Sequence, residues 1–317
     1  MLLRTAKAIF LFFILVNAVA ASALSTDLRL MRLVPPDSQI VAGMLSPSRQ
    51  GQPNSFLLVT ENNKIDHQDF LALTGADTSR IILQVVFVAA VGRKGLLSEH
   101  SLLVSGHFDR EAIFKSAHGN NATTDSYRAV TVLVVPAFER ERSTFNEERW
   151  LAILDSNIAI FGTVDSVQRE LDRKIANSPP DSLLMERLGR LGREDETWCL
   201  LPPPSRNGLV QSVFEKLDPK LGVVAKAGGS MEYGIHFGRR VEITATSNVA
   251  AVAASWNSPA DPPAVESTPM RYLLPHSNDA PDEEIRPAVV KVSQRRYEEW
   301  MAEFANPKFT IGDAHSH

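Results

Sequence analysis

The chain has 317 residues, 44% of them hydrophobic, with a formal net charge of −4 and a single cysteine. That length and apolar content suffice for one large or two ordinary domains held by their own core, and a lone thiol, Cys199, excludes an intramolecular disulfide. The mildly acidic balance gives no electrostatic reason to seek nucleic acid or anionic lipid.

Arg4 and Lys7 precede an apolar run from Ala8 to Val16, and Ala21-Ser22-Ala23 supplies the small residues that suit a signal peptidase. Residues 1–23 therefore read as a secretory signal peptide, and the mature chain as periplasmic or secreted. The alternative is a retained anchor, but the apolar core totals about 14 residues against the roughly 20 that a spanning helix needs. Cleavage removes two positive charges and no acid, which moves the formal charge from −4 to −6. No later run is long enough to cross a bilayer. The longest, Ile81 to Val91, is interrupted by Gln84 and fits a buried strand. No stable membrane span is expected after cleavage.

Val34-Pro35-Pro36-Asp37 is a turn, and Gln39 to Met44 suits a first strand. A helix is expected near Asp66 to Thr74, closed by Gly75 in the left-handed conformation. Ile81 to Val91 is the strongest strand, and His100 to His107 returns beside it. Asp109 can cap a short helix ending near Ala117, a polar loop spans Gly119 to Ser126, and Tyr127 to Pro136 forms another strand. Leu151 to Leu154 and Ile158 to Phe161, joined by Asp155-Ser156-Asn157, make a hairpin. A helix follows with Val167, Leu171 and Ile175 as its buried stripe, and Arg169, Glu170, Asp172, Arg173 and Lys174 as a solvated face. Ser178-Pro179-Pro180 stops it. Asp181 caps a second helix carrying Leu184, Leu188 and Leu191 inward.

Thr197 to Leu201 is strand-like. Asn207 can start a helix that Asp218-Pro219 ends. Met231, Tyr233, Ile235 and Phe237 alternate with Glu232, Gly234 and His236, the period of a sheet with one wet face, and Val241 to Thr246 pairs with them. This order resembles that of residues 39–117; a duplicated unit and a chance recurrence of common elements would both produce it. The expected fold is α+β: a mostly antiparallel sheet with helices on one face. Its first half covers 24–195 and its second, shorter half 196–256. Pro-, Asp-, Ser- and Glu-rich residues 257–287 form a linker, 288–306 a terminal strand and helix, and 307–317 a disordered tail.

The chain carries in order the entry Leu33-Val34-Pro35-Pro36-Asp37, the turn Thr74-Gly75-Ala76-Asp77 before a strand, Gly106-His107-Phe108-Asp109 opening a helix, and Leu154-Asp155-Ser156 through Gly162-Thr163 into an amphipathic helix. In these motifs the chain resembles a group of uncharacterised exported bacterial α+β proteins over about residues 30–246. The resemblance implies an architecture and carries no catalytic motif or ligand.

Tyr297, Trp300, Met301 and Phe304 share one face of the last helix and, at ~1.5–3 kcal/mol per side chain, would bury about 6 to 10 kcal/mol of surface. That stripe either docks back on the sheet or binds a partner, and these four residues are the candidate partner-binding site. Cys199, in an apolar strand, reads as a buried, inert thiol. Asp313, His315 and His317 lack anything to fix their geometry, so no metal site is expected. No cofactor is expected either, because Gly228-Gly229 lacks the residues of a phosphate loop. His100, His107, His118 and His236 are scattered, no Gly-x-Ser-x-Gly elbow is present, and the catalytic residues are unknown. Two functions fit: an extracytoplasmic binding or structural protein whose partner is a protein or apolar small molecule, or a secreted hydrolase whose site assembles only in three dimensions.

Overall fold

The structure is a computed structural model that describes residues 26–45, 69–75, 82–91, 97–136, 147–191, 195–201, 215–226, 230–248 and 288–304. The leader, the linker and the tail predicted above lie outside these residues, as do Asn207, Gly228-Gly229, Asp313, His315 and His317.

The described residues form eleven strands, β1 (Ile40–Leu45), β2 (Ile82–Val91), β3 (Leu97–Gly106), β4 (Thr123–Tyr127), β5 (Val130–Val135), β6 (Arg149–Ile153), β7 (Ile158–Thr163), β8 (Thr197–Leu201), β9 (Ser230–Phe237), β10 (Val241–Asn248) and β11 (Ala288–Val292). They form a single antiparallel sheet in the order β11-β10-β9-β8-β1-β2-β3-β7-β6-β5-β4. Helices are α1 (Leu28–Met31), α2 (69–74), α3 (Arg110–Gly119), α4 (Val164–Ile175), α5 (Ser182–Gly189), α6 (Pro219–Lys226) and α7 (Gln294–Phe304). The fold is α+β.

β1 and β8 pair antiparallel at the centre of the sheet, with Gly43 opposite Trp198. A Cβ on Gly43 would lie 2.2 Å from the indole, so only glycine leaves room for that ring. From this joint the order strand, helix, hairpin runs outward twice: β1, α2, β2, β3 on one side and β8, α6, β9, β10 on the other. The residues lining α2 and α6, Phe70 and Leu73 against Leu221 and Val224, sit in the same layer of core.

The helices cover both faces of the sheet, which corrects the one-face expectation. On the first face Val85, Phe87, Leu102, Val104, Tyr233 and Ile235 meet α2, α3, α6 and α7. On the second, Val86, Val88, Leu103, Ile160, Trp198 and Leu200 meet α1, α4 and α5. The cause is legible in β2, whose Val85-Val86-Phe87-Val88-Ala89 is apolar at every position and buried throughout. A strand with one wet face would alternate instead.

Two local corrections and one addition follow from the same geometry. The polar stretch before Tyr127 is the edge strand β4, not a loop. It is exposed along most of its length, which is why it lacks apolar residues, and it pairs with β5 through Arg128 and Ala129, both at positive φ (45° and 67°) as a two-residue hairpin turn requires. Asp218-Pro219 ends the helical residues 215–217, as expected, and also starts α6. Asp218 accepts from the Lys220 amide at 2.8 Å, and Pro219 takes the first helical position, where a missing N–H costs nothing. Ile175 is 48% exposed, because eight residues beyond Val167 it has drifted about 80° around the helix.

Candidate functional site

The second face of the sheet carries the chemically unusual groups. α4 follows β7 directly, with Thr163 as its N-cap residue and Val167 and Leu171 fully buried. Glu170 falls on that stripe too, three residues after Val167 and one before Leu171. Its exposure is 0%. One carboxyl oxygen accepts a hydrogen bond from the Ser101 hydroxyl of β3, a residue that is itself completely buried, while Oε2 meets no polar partner in the described structure. Burial drives the carboxyl up to about 8, and the Ser101 hydrogen bond and the charge of Arg169 oppose that rise only in part. Glu170 is therefore held as a neutral acid at pH 7.

The neighbouring charges of α4 form ties, where the sequence suggested only a solvated face. Arg169 bridges Asp37 of the Pro-Pro turn and Glu99 of β3, the latter at 2.8 Å. Arg173 donates to the Arg32 carbonyl at 2.9 Å and the Pro179 carbonyl at 2.7 Å. Asp172 accepts from the Tyr127 hydroxyl at 3.1 Å and pairs with Arg128 at 3.2 Å. One helix thus fastens the N-terminal turn, β3 and the β4-β5 hairpin.

A second buried carboxylate lies further along the same face. Glu232 of β9 is 0% exposed, so the wet-face reading of Glu232, Gly234 and His236 fails there. α5, whose Asp181 N-cap accepts from the Leu184 amide at 2.8 Å, brings Arg187 to 2.9 Å and Arg190 to 3.3 Å from Glu232 Oε1, and the Thr246 hydroxyl donates to Oε2 at 3.0 Å. Arg187 also donates to the Leu201 carbonyl at 2.9 Å. Gly234 is overlain by the Asp195 carboxyl, which leaves no space for a Cβ. Glu196 accepts from the Phe237 amide at 2.8 Å and meets His236 Nδ1 at 3.1 Å.

The other sequence candidates are dispersed. Tyr297 and Trp300 are 0% and 3% exposed and belong to the core of the first face, with Tyr297 edge-on to Phe237 at 5.5 Å and tilted against Trp300 at 5.8 Å. This corrects their assignment to a partner: both rings are consumed by intramolecular packing. Met301 and Phe304 fall in the last turn of the same helix. Cys199 is buried beside Tyr233, and burial pushes its thiol up to about 12, which leaves it unreactive. His100 points to the first face, against Phe87 and within 3.4 Å of Arg149, opposite to its neighbour Ser101. His107 is exposed, and His118 Nε2 lies 2.9 Å from the Thr124 hydroxyl. Among the described residues no group of three His, Cys, Asp or Glu side chains could hold a metal ion, and no helix is long and apolar enough to cross a membrane.

The periodicity of α4 contained the signal for Glu170, since helical spacing places it between two buried positions; its polarity argued the other way. The partnership of Glu232 with α5 spans 45 residues and leaves no mark in the local pattern.

No protein-family model and no curated protein matches the chain. Among solved structures it is similar to the one titled "Structure of crystal form I of TP0453", at 12% identity and a TM-score of 0.40, over 73% of this chain and 84% of that one. A likeness at that level says nothing of ligand or activity.

Proposed function

We propose that the protein is an exported binding protein whose partner adds an extended, apolar segment to the β11 edge of the sheet. The carrying observation is the contrast between the two edges. β4 presents Thr, Asp and Ser, whereas β11 reads Ala-Val-Val-Lys-Val, and among the described residues it pairs with β10 alone. Val289 is 45% exposed there, on the face that α7 does not cover. Lys291, a residue that usually guards an open edge, leans inward to Glu242 at 2.6 Å. An unpaired edge offers main-chain donors and acceptors for affinity, and alternate side chains for selectivity. The apolar leader run supports export.

A hydrolase is the weaker reading. A serine nucleophile needs a base within hydrogen-bond reach, and among the described residues Ser101 has only the neutral acid Glu170, sealed from solvent, while His100 faces the other side of the sheet.

The test uses a synthetic eight-residue peptide of alternating Val and Thr. Hydrogen exchange of the full chain should show protection at residues 288–292 that Val289→Lys abolishes. Protection elsewhere, no protection, or turnover of an ester library lost in Ser101→Ala would overturn the reading.

A further inference from the structure

The geometry points to α4 as a proton-operated latch, seated on β3, β6 and β7 while Glu170 is protonated and released from them when Glu170 gives up its proton. A fully buried carboxylate persists when a cation or several donors meet it. Glu170 has one donor, the Ser101 hydroxyl, and its second oxygen meets none in the described structure. The charges that face it from the surrounding elements are few and already engaged. On α4 itself, Arg169 is turned outward to Asp37 and Glu99, Arg173 to backbone carbonyls, and Asp172 to Tyr127 and Arg128. On β3, Glu99 is held by Arg169 and His100 lies on the opposite face. β6 contributes Arg149, which pairs with Glu147 at 3.6 Å and meets His100. β7 has no titratable side chain, and its Thr163 hydroxyl donates to the His100 carbonyl at 3.3 Å. The segment before β1 contributes Asp37, bound to Arg169, and Arg32, whose carbonyl receives Arg173.

Ionisation therefore places under α4 a charge that Ser101 and Arg169 offset only in part, and water reaches it only if the helix lifts. Lifting frees Val167 and Leu171 and uncovers Leu103 and Ile160. The ties on the outer side of α4 are partly exposed ion pairs and carbonyl contacts, which hold the helix in place once seated but are each weak.

Hydrogen exchange of the full chain across a pH series tests this, with rates at residues 164–175 divided by their intrinsic values. An open form that titrates at an ordinary carboxylate value, and a closed form that titrates at about 8, make opening rise about tenfold per pH unit between those limits and level off above. Glu170→Gln, neutral throughout, should abolish that rise. Ser101→Ala removes the one donor and should carry the rise to higher pH. The latch is overturned if Glu170→Gln retains the wild-type slope, or if β2 and β3 amides open in parallel with α4, which would make the effect global unfolding.

Discussion

Glu170 and Glu232 lie on the same face of the same sheet, both completely buried, and the chain accommodates them in opposite ways. Glu232 sits beneath α5, which delivers two guanidinium groups and leaves Thr246 to satisfy the second oxygen. Glu170 sits on α4, which turns its arginines outward and leaves one hydroxyl. The comparison shows that burial depth does not decide whether a carboxyl is ionic. The direction in which the neighbouring helix points its cations decides it, because desolvation of the charged form has to be offset by a partner or avoided by a proton.

The largest expected effect breaks the ionic half. Arg187→Met leaves Glu232 with Arg190 at the rim and should cost about 3–5 kcal/mol in urea unfolding at pH 7. Adding Glu232→Leu to that variant should recover most of the loss, and no recovery would mean that Arg187 acts through its carbonyl contacts. The second effect separates the two sites by pH. The fold raises the Glu170 pKa above its unfolded value, so the folded state keeps a proton that the unfolded chain has lost. Stability therefore falls as pH rises from about 4.5 to about 8 and is level above that. Glu170→Gln should add a few kcal/mol at pH 9 and almost nothing at pH 4, read as Tm against pH. Glu232→Gln should lower Tm at pH 7 instead.

Ser101→Ala should cost about 1 kcal/mol at pH 6 and extend the fall in stability to higher pH, because the one group that favours the ionised form through a hydrogen bond is gone. The smallest effect is expected from Arg169→Gln. Its ion pairs with Asp37 and Glu99 are about one-third or more exposed on most members, so the loss should stay below about 1 kcal/mol and shrink further as salt is raised. A larger, salt-independent loss would place Arg169 in the same role as Arg187.

Much of this architecture was legible locally. The hairpin of β6 and β7 follows from two apolar runs around Asp155-Ser156-Asn157, the caps Asp109 and Asp181 hold the helices expected of them, and Gly75 takes positive φ at the end of α2. The edge strand β4 escaped because an exposed edge has no apolar alternation to read. Glu170 escaped because its chemical character outweighed its helical position. Tyr297 and Trp300 were legible as a stripe but not as to destination, since an amphipathic helix reads the same whether it docks on its own sheet or on another protein.

The sequence by itself determined the local elements, the buried thiol and the apolar β2, because capping, turns and hydrophobic period act over a few residues. Only the tertiary structure decided that both faces of the sheet are covered, that β8 joins β1, and that one buried carboxyl meets two arginines while the other meets a serine. Those outcomes depend on contacts between residues about 40 to 160 positions apart, and their cost or benefit arises only when water is excluded from between them.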